Sequence, residues 1–169
     1  MPVSLVNSKK IYSALKMCNI RLLSAVPDAS FAHLMRLADD DPDMTLVLSS
    51  REKEALGVST GAYLAGVNTA LLMQNSSFPF IVDTIVSLVF LYKIPLLMLI
   101  SCDAQSGISN ARQSQVDMAT ELILHTLNIP LQQIKFSSDV HNCLNDAQKL
   151  AQTSLHPVAI LLPRDLVHN

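Results

Sequence analysis

Short apolar runs alternate along this chain with longer amphipathic ones. The candidate strands are Arg21–Val26, Thr45–Leu48, Thr69–Met73, Pro95–Ser101, Gln133–Phe136 and Val158–Leu162. Unbroken apolar tracts, as at 96–100 and 158–162, suit strands covered on both faces rather than on one. Helical spacing fills the intervals. Ile11, Leu15 and Cys18 mark a first helix, and Phe31, Leu34 and Leu37 a second. A third runs from about Glu52 to Leu64 and ends at Gly66, and a fourth covers Phe80–Tyr92, stopped by Pro95. The fifth carries Met118, Leu122 and Leu127 before Pro130; the last spans Val140–Thr153, with Cys143, Leu144, Ala147 and Leu150 on one face. This alternation predicts an α/β fold: a doubly wound, mostly parallel six-stranded sheet with helices on both faces, in one domain over residues 1–169.

Composition adds a constraint. Half the 169 residues are hydrophobic and only 15% are charged, with a mean hydropathy of +0.33. A chain this apolar either buries both sheet faces or sinks further surface into a partner. The net charge of -2 and pI near 6.2 give no electrostatic case for nucleic acid or an anionic membrane. Ile81–Ile100 is the most apolar stretch, but Asp83, Ser87, Lys93 and Pro95 interrupt it, so a helix followed by a strand accounts for it better than a membrane span. Residues 1–10 lack the apolar region of a signal peptide. Cys18, Cys102 and Cys143 are far apart and odd in number, which favours a reducing, cytoplasmic setting over a disulfide framework.

Several chemistries are unsupported by motif. The chain has four glycines, at 57, 61, 66 and 107, and neither a GxGxxG nor a Walker loop. Its histidines, at 33, 125, 141, 156 and 168, have no zinc-ligand spacing, and no GxSxG elbow occurs. In open α/β sheets the active crevice lies beyond the carboxyl ends of the strands. The turns to inspect are therefore 26–30, 49–52, 74–77, 101–113 and 163–165. Among these, Ser49 and Glu52 have the spacing of a capping box. The same glutamate also follows a buried strand and opens an apolar helix, where a carboxylate can meet a ligand nitrogen.

The wider run bears on that choice. Ser50-Arg51-Glu52-Lys53-Glu54-Ala55-Leu56-Gly57, then Gly61-Ala62-Tyr63-Leu64-Ala65-Gly66 and Ala70-Leu71-Leu72-Met73-Gln74-Asn75-Ser76, resembles the pyrimidine-binding domain of thiamine-diphosphate enzymes. The resemblance is strongest to alpha-type chains of decarboxylases of the sulfopyruvate and phosphonopyruvate kind. It extends through Ala25–Asp28, Tyr92–Ser101 and Leu127–Pro130. It implies thiamine diphosphate as cofactor and Glu52, nine residues before Gly61, as the glutamate that activates the aminopyrimidine ring. Glu54 lies about 200° further round a helix and cannot share that direction. The resemblance further implies that Val26, Pro27, Gln74, Asn75 and Ser76 line the cofactor site. Asp28, Arg112 and Gln113 would face an anionic 2-oxoacid, although Asp28 also suits a helix cap.

The match has gaps. The diphosphate half, which binds magnesium in this family, has no counterpart in these residues. The resemblance therefore implies a separate diphosphate-binding beta subunit and self-association of the pyrimidine-binding domains. Relatives carry Asn-Ser-Gly-Leu-Gly-Asn where this chain reads Asn75-Ser76-Ser77-Phe78-Pro79-Phe80, and a histidine where it has Gln113. Two rival readings follow: an interaction or regulatory domain without catalysis, and a carboligase subunit using the same cofactor.

Overall fold

The computed structural model describes residues 3–102, 111–134 and 136–167, with backbone only for 111–114 and 164–165. Six strands, β1 (Leu22–Ala25), β2 (Thr45–Leu48), β3 (Thr69–Gln74), β4 (Leu97–Cys102), β5 (Leu131–Gln133) and β6 (Val158–Pro163), form one sheet in the order β2-β1-β3-β4-β6-β5. Every pairing is parallel. The sheet is thus wholly parallel, where the sequence pattern predicted a mostly parallel one.

The pleat explains the unbroken apolar runs. Successive side chains of a strand point to opposite faces. Ala70, Leu72, Leu97, Leu99, Val158 and Ile160 accordingly belong to one core, and Leu71, Met73, Met98, Ile100, Ala159 and Leu161 to the other. The first core is covered by α1 (Leu5–Met17), α2 (Ala32–Asp39), α6 (Val140–Ser154) and α7 (Arg164–Val167). The second lies under α3 (Glu52–Leu64), the segment 75–90 and α5 (Ala111–Thr126). Handedness decides which helix goes where. The chain moves one way across the sheet through α2 and α6, and the other way through α3, 75–90 and α5, so right-handed crossovers put these sets on opposite faces.

Four helical segments end alike. Asn19, Gly66, Lys93 and Asn128 have positive φ, and the next residue, Ile20, Val67, Ile94 or Ile129, donates its amide five residues back. This double-bonded stop satisfies the last carbonyls and drives an apolar side chain inward; the three isoleucines are buried. Lys93, rather than Pro95, therefore stops the fourth helical segment.

Other expectations need correction. The predicted helix over 80–92 is instead a 3-10 stretch, Asn75–Ile81, a short α4 (Val82–Thr84) and a π-helix, Ile85–Phe90. Pro79 sits inside the 3-10 stretch, where it removes a donor that a regular helix would use. Strand β5 lies two residues earlier than predicted, because the Ala159 amide bonds the Pro130 carbonyl and sets the register there. On α5 the predicted inward positions Met118 and Leu122 are 70% and 67% exposed, while Leu124 is buried and Leu127 partly so. Its apolar stripe is two-sided, and the sheet takes the other side.

A polar clip fastens α1 to the turn before β2. Asp41 accepts hydrogen bonds from the Tyr12 hydroxyl at 2.7 Å and the Lys16 ammonium at 2.5 Å, and from the Asp43 amide at 2.9 Å. Those donors, Lys16 first, hold its carboxyl well below the ordinary 3.8. A carboxyl depressed on folding stabilises the protein above its unfolded pKa and loses that contribution as pH falls through the folded one. Asp41→Asn should lower the melting temperature at neutral pH, with the gap to wild type narrowing below pH 3.8. A gap that stays constant from neutral to acid pH in thermal melts would contradict this.

Candidate active site

The strand order reverses direction between β1 and β3, since β1 leads outward to β2 while β3 leads the other way to β4. At such a reversal the loops leaving two adjacent strands diverge and open a crevice at the carboxyl edge. Val26, half-buried, and Pro27, exposed, form the loop after β1. Asp28 follows and caps a 3-10 turn, Ala29–Phe31, accepting from the Ser30 amide at 2.8 Å. Its other carboxylate oxygen accepts from the side-chain amide of Gln74 at the end of β3. The Gln74 carbonyl oxygen in turn accepts from the Ser76 hydroxyl at 3.2 Å. Asp28, Gln74 and Ser76 thus form one network across the crevice. The predicted cap and the predicted site are the same residue.

Asn75 turns the other way. It is 1% exposed, its side-chain amide donates to the Asp117 carboxylate on α5, and its backbone carbonyl lies 3.1 Å from the Thr120 hydroxyl. The residue ties the 3-10 stretch to α5, and its side chain faces protein rather than the crevice. Asp117 and Thr120 escaped the sequence reading. Their one signal was polarity on a helix face that also carries Leu124.

Glu52 is the first residue of α3, and the capping box expected of it is absent. Arg51 occupies the cap position without a side-chain bond, and Glu54 reaches back to the Ser50 amide at 3.2 Å. The box chemistry has passed to the third helical position, leaving Glu52 uncommitted. The residue is half-buried, and its carboxylate makes no hydrogen bond or ion pair among the described residues. It lines a cleft of about 330 Å³ with Arg51, Lys53, Phe80 and Ile81. Helix α3 is held on the sheet by a buried 2.6 Å bond between the Ser24 and Ser59 hydroxyls, and by the Ser49 amide donating to the Ala25 carbonyl at 2.9 Å. These contacts fix Glu52 at the carboxyl edge.

The side chains of Arg112 and Gln113, proposed to meet substrate, lie outside the described residues. No group of three or more His, Cys, Asp or Glu side chains is gathered for a metal among the described residues. None of the three cysteines is in a disulfide. Burial raises the Cys18 thiol, and burial with two nearby aspartates pushes Cys143 up to about 11, so neither is a thiolate at neutral pH. A separate apolar groove of about 940 Å³, lined by Met118, Leu122, Ile129, Pro130 and Leu131 among others, runs beside α5 and β5. No helix among the described residues is long and apolar enough to cross a membrane.

Known proteins share this chain's pattern and shape. No family profile matches it. It is 36% identical over 155 residues to the sulfopyruvate decarboxylase subunit alpha of Methanococcus maripaludis, covering 92% of this chain and 93% of that one. The corresponding subunit of Methanocaldococcus jannaschii is 33% identical, with 91% of each chain covered. That of Methanothermobacter thermautotrophicus is 31% identical over 92% of this chain and 94% of its own. Among solved structures, 2-oxoglutarate:ferredoxin oxidoreductase from Magnetococcus marinus superposes with a TM-score of 0.77 at 13% identity, over 96% of this chain and 29% of that one. A chain described as a thiamin diphosphate-dependent enzyme from Mycobacterium smegmatis gives 0.74 at 18% identity, over 96% and 31%. This chain therefore shares the fold of part of each, and it spans under a third of those two larger chains.

The clamp yields a prediction. Asn75→Ala removes a buried hydrogen bond to a carboxylate and should cost about 1–3 kcal/mol of stability. Ser76→Ala, at an exposed hydroxyl, should cost almost nothing. Urea unfolding of both variants decides it; equal losses would remove the clamp from the account.

Proposed function

This chain belongs to the family of sulfopyruvate decarboxylase alpha subunits, and from that footing we propose that it is the alpha-type subunit of a thiamine-diphosphate-dependent 2-oxoacid decarboxylase. The observation that carries the proposal is Glu52: half-buried, uncommitted, and fixed at the carboxyl edge beside an aromatic side chain. One carboxyl group beside an aromatic side chain, able to share a proton with a ring nitrogen, suits a flat heteroaromatic ring. The residues fit the aminopyrimidine of the cofactor. When bound, thiamine diphosphate supplies the carbon nucleophile and the electron sink that loss of carbon dioxide from a 2-oxoacid requires.

The chain's own part is placement and proton control. Glu52 holds a proton at a ring nitrogen, which fixes the ring's tautomer and orientation. The Asp28–Gln74–Ser76 network ties the loop that carries Val26 and Pro27 to the end of β3, and we assign the cofactor-facing rim to these five residues. Asp28, an acceptor, orients the Gln74 side-chain amide at the edge proposed to face the 2-oxoacid. Arg112 and Gln113 remain proposed for the substrate's charged tail. Asn75 is assigned instead to support, since its side chain is occupied.

Magnesium and the diphosphate are assigned to a partner, a diphosphate-binding beta subunit. Backbone cradles for phosphate use glycine to bring amides close, and the loops 26–30 and 74–81 contain none. Self-association of pyrimidine-binding domains has its own support. Gly57 and Gly61 lie one turn apart on α3 with open space where a Cβ would project. Each helical glycine costs about 1 kcal/mol relative to alanine, and nothing within the described chain requires either. Close approach of another chain does. The exposed Met118 and Leu122 add apolar surface suited to an obligate interface. Cysteines outside any disulfide accord with a reducing, cytoplasmic setting.

Two outcomes are expected. Glu52→Gln, purified with the partner subunit, should lose decarboxylation by about a hundredfold or more while still assembling; wild-type turnover would refute the proton-holding role. Gly61→Ala should weaken assembly and raise the unfolding free energy of the chain alone by about 0.5–1 kcal/mol. Gly61→Leu should instead dissociate the assembly in analytical ultracentrifugation. Normal assembly of the leucine variant would mean that α3 does not meet another chain.

A further inference from the structure

Phe80 is a large aromatic side chain that is 71% exposed, yet the residues on either side of the Pro79–Phe80 pair are fully buried. Its neighbours Phe78 and Ile81 are both 0% exposed and anchor the 3-10 stretch in the core beneath α3 and β4. Pro79 fixes φ between those anchors, and the Asn75 clamp to Asp117 and Thr120 secures the start of the stretch on α5. Across the cleft mouth, Lys53 on α3 approaches Asp83 on α4 at 3.9 Å. The ring is therefore held out of the core, not merely left there by a loose loop. It lines the same small cleft as Glu52.

From this arrangement we propose that Phe80 is a positioning residue for the cofactor: its face forms the wall against which the aminopyrimidine ring lies while Glu52 meets the ring's edge. The proposal rests on the Glu52 reading above and adds the residue that fixes the plane of the ring. A carboxylate hydrogen bond alone leaves a ring free to tilt about that bond. An aromatic wall removes the freedom, because offset stacking of two flat rings has its own preferred geometry. Phe78, by contrast, is a core anchor and takes no part in binding.

The test uses the complex of this chain with its partner subunit and reads binding rather than turnover. In isothermal calorimetry with magnesium present, Phe80→Ala should raise the Kd for thiamine diphosphate about tenfold, and Phe80→Tyr should restore it to within about twofold. Inorganic diphosphate, which has no ring, should bind both variants as it binds wild type. Sedimentation should show the same assembly throughout. Unchanged thiamine-diphosphate affinity in Phe80→Ala would overturn the proposal. So would equal weakening of inorganic diphosphate, or loss of assembly, which would make Phe80 a subunit contact. The two readings separate cleanly. If Glu52→Gln keeps wild-type turnover while Phe80→Ala loses thiamine-diphosphate affinity, Glu52 is misassigned and the wall stands. If Glu52→Gln is inactive and Phe80→Ala binds normally, only the wall is lost.

Discussion

Parallel strands can be joined only by crossovers, and where right-handed crossovers change direction two strand-end loops must part. In this chain that parting falls between β1 and β3. The Asp28–Gln74 hydrogen bond spans it and keeps the opening to a fixed width. Everything proposed about the site depends on that geometry. Asp28 serves the backbone and the crevice together, since one carboxylate oxygen caps the turn and the other meets Gln74. Helix α3 starts at the same edge because it covers β1 and β3, and the Ser24–Ser59 bond keeps it seated.

Much of this was legible in the residues. Unbroken apolar runs reveal strands covered on both faces, and the pleat then sorts Leu71 from Leu72 and Met98 from Leu99 without further information. The double-bonded helix stops also have a readable form: an asparagine, glycine or lysine, then a β-branched apolar residue, as at Asn19-Ile20, Gly66-Val67, Lys93-Ile94 and Asn128-Ile129. What failed to read was anything that depends on two segments meeting. The stripe on α5 gave no hint of which side the sheet would take, and Met118 and Leu122 ended outside. The capping-box spacing at Ser49 and Glu52 was real, but Glu54 bonded the Ser50 amide instead, one residue along on one side and two on the other. Spacing identified the motif; register decided which glutamate was spent on it.

That exchange matters for chemistry. A glutamate engaged in a cap would have its acceptor occupied by backbone donors, whereas Glu52 retains both oxygens for a ligand. The surface argues in the same direction. Glycines at 57 and 61 weaken α3 with no return inside the chain, and exposed methionine and leucine on α5 add to the apolar area. Such features are costs in a lone subunit and become favourable contacts in an assembly. The proposal is of a half-site: one carboxylate, one aromatic wall and a polar rim at one edge of the sheet, to be completed by another chain.

The central claim is that this half-site binds thiamine diphosphate only as part of an assembly. Titrating thiamine diphosphate with magnesium into the chain alone, and into the chain with its partner subunit, measures that directly. The account predicts little or no heat from the isolated chain and saturable binding from the complex, at one cofactor per alpha-type chain. Absence of binding in both titrations would contradict it and leave the fold serving as an interaction domain.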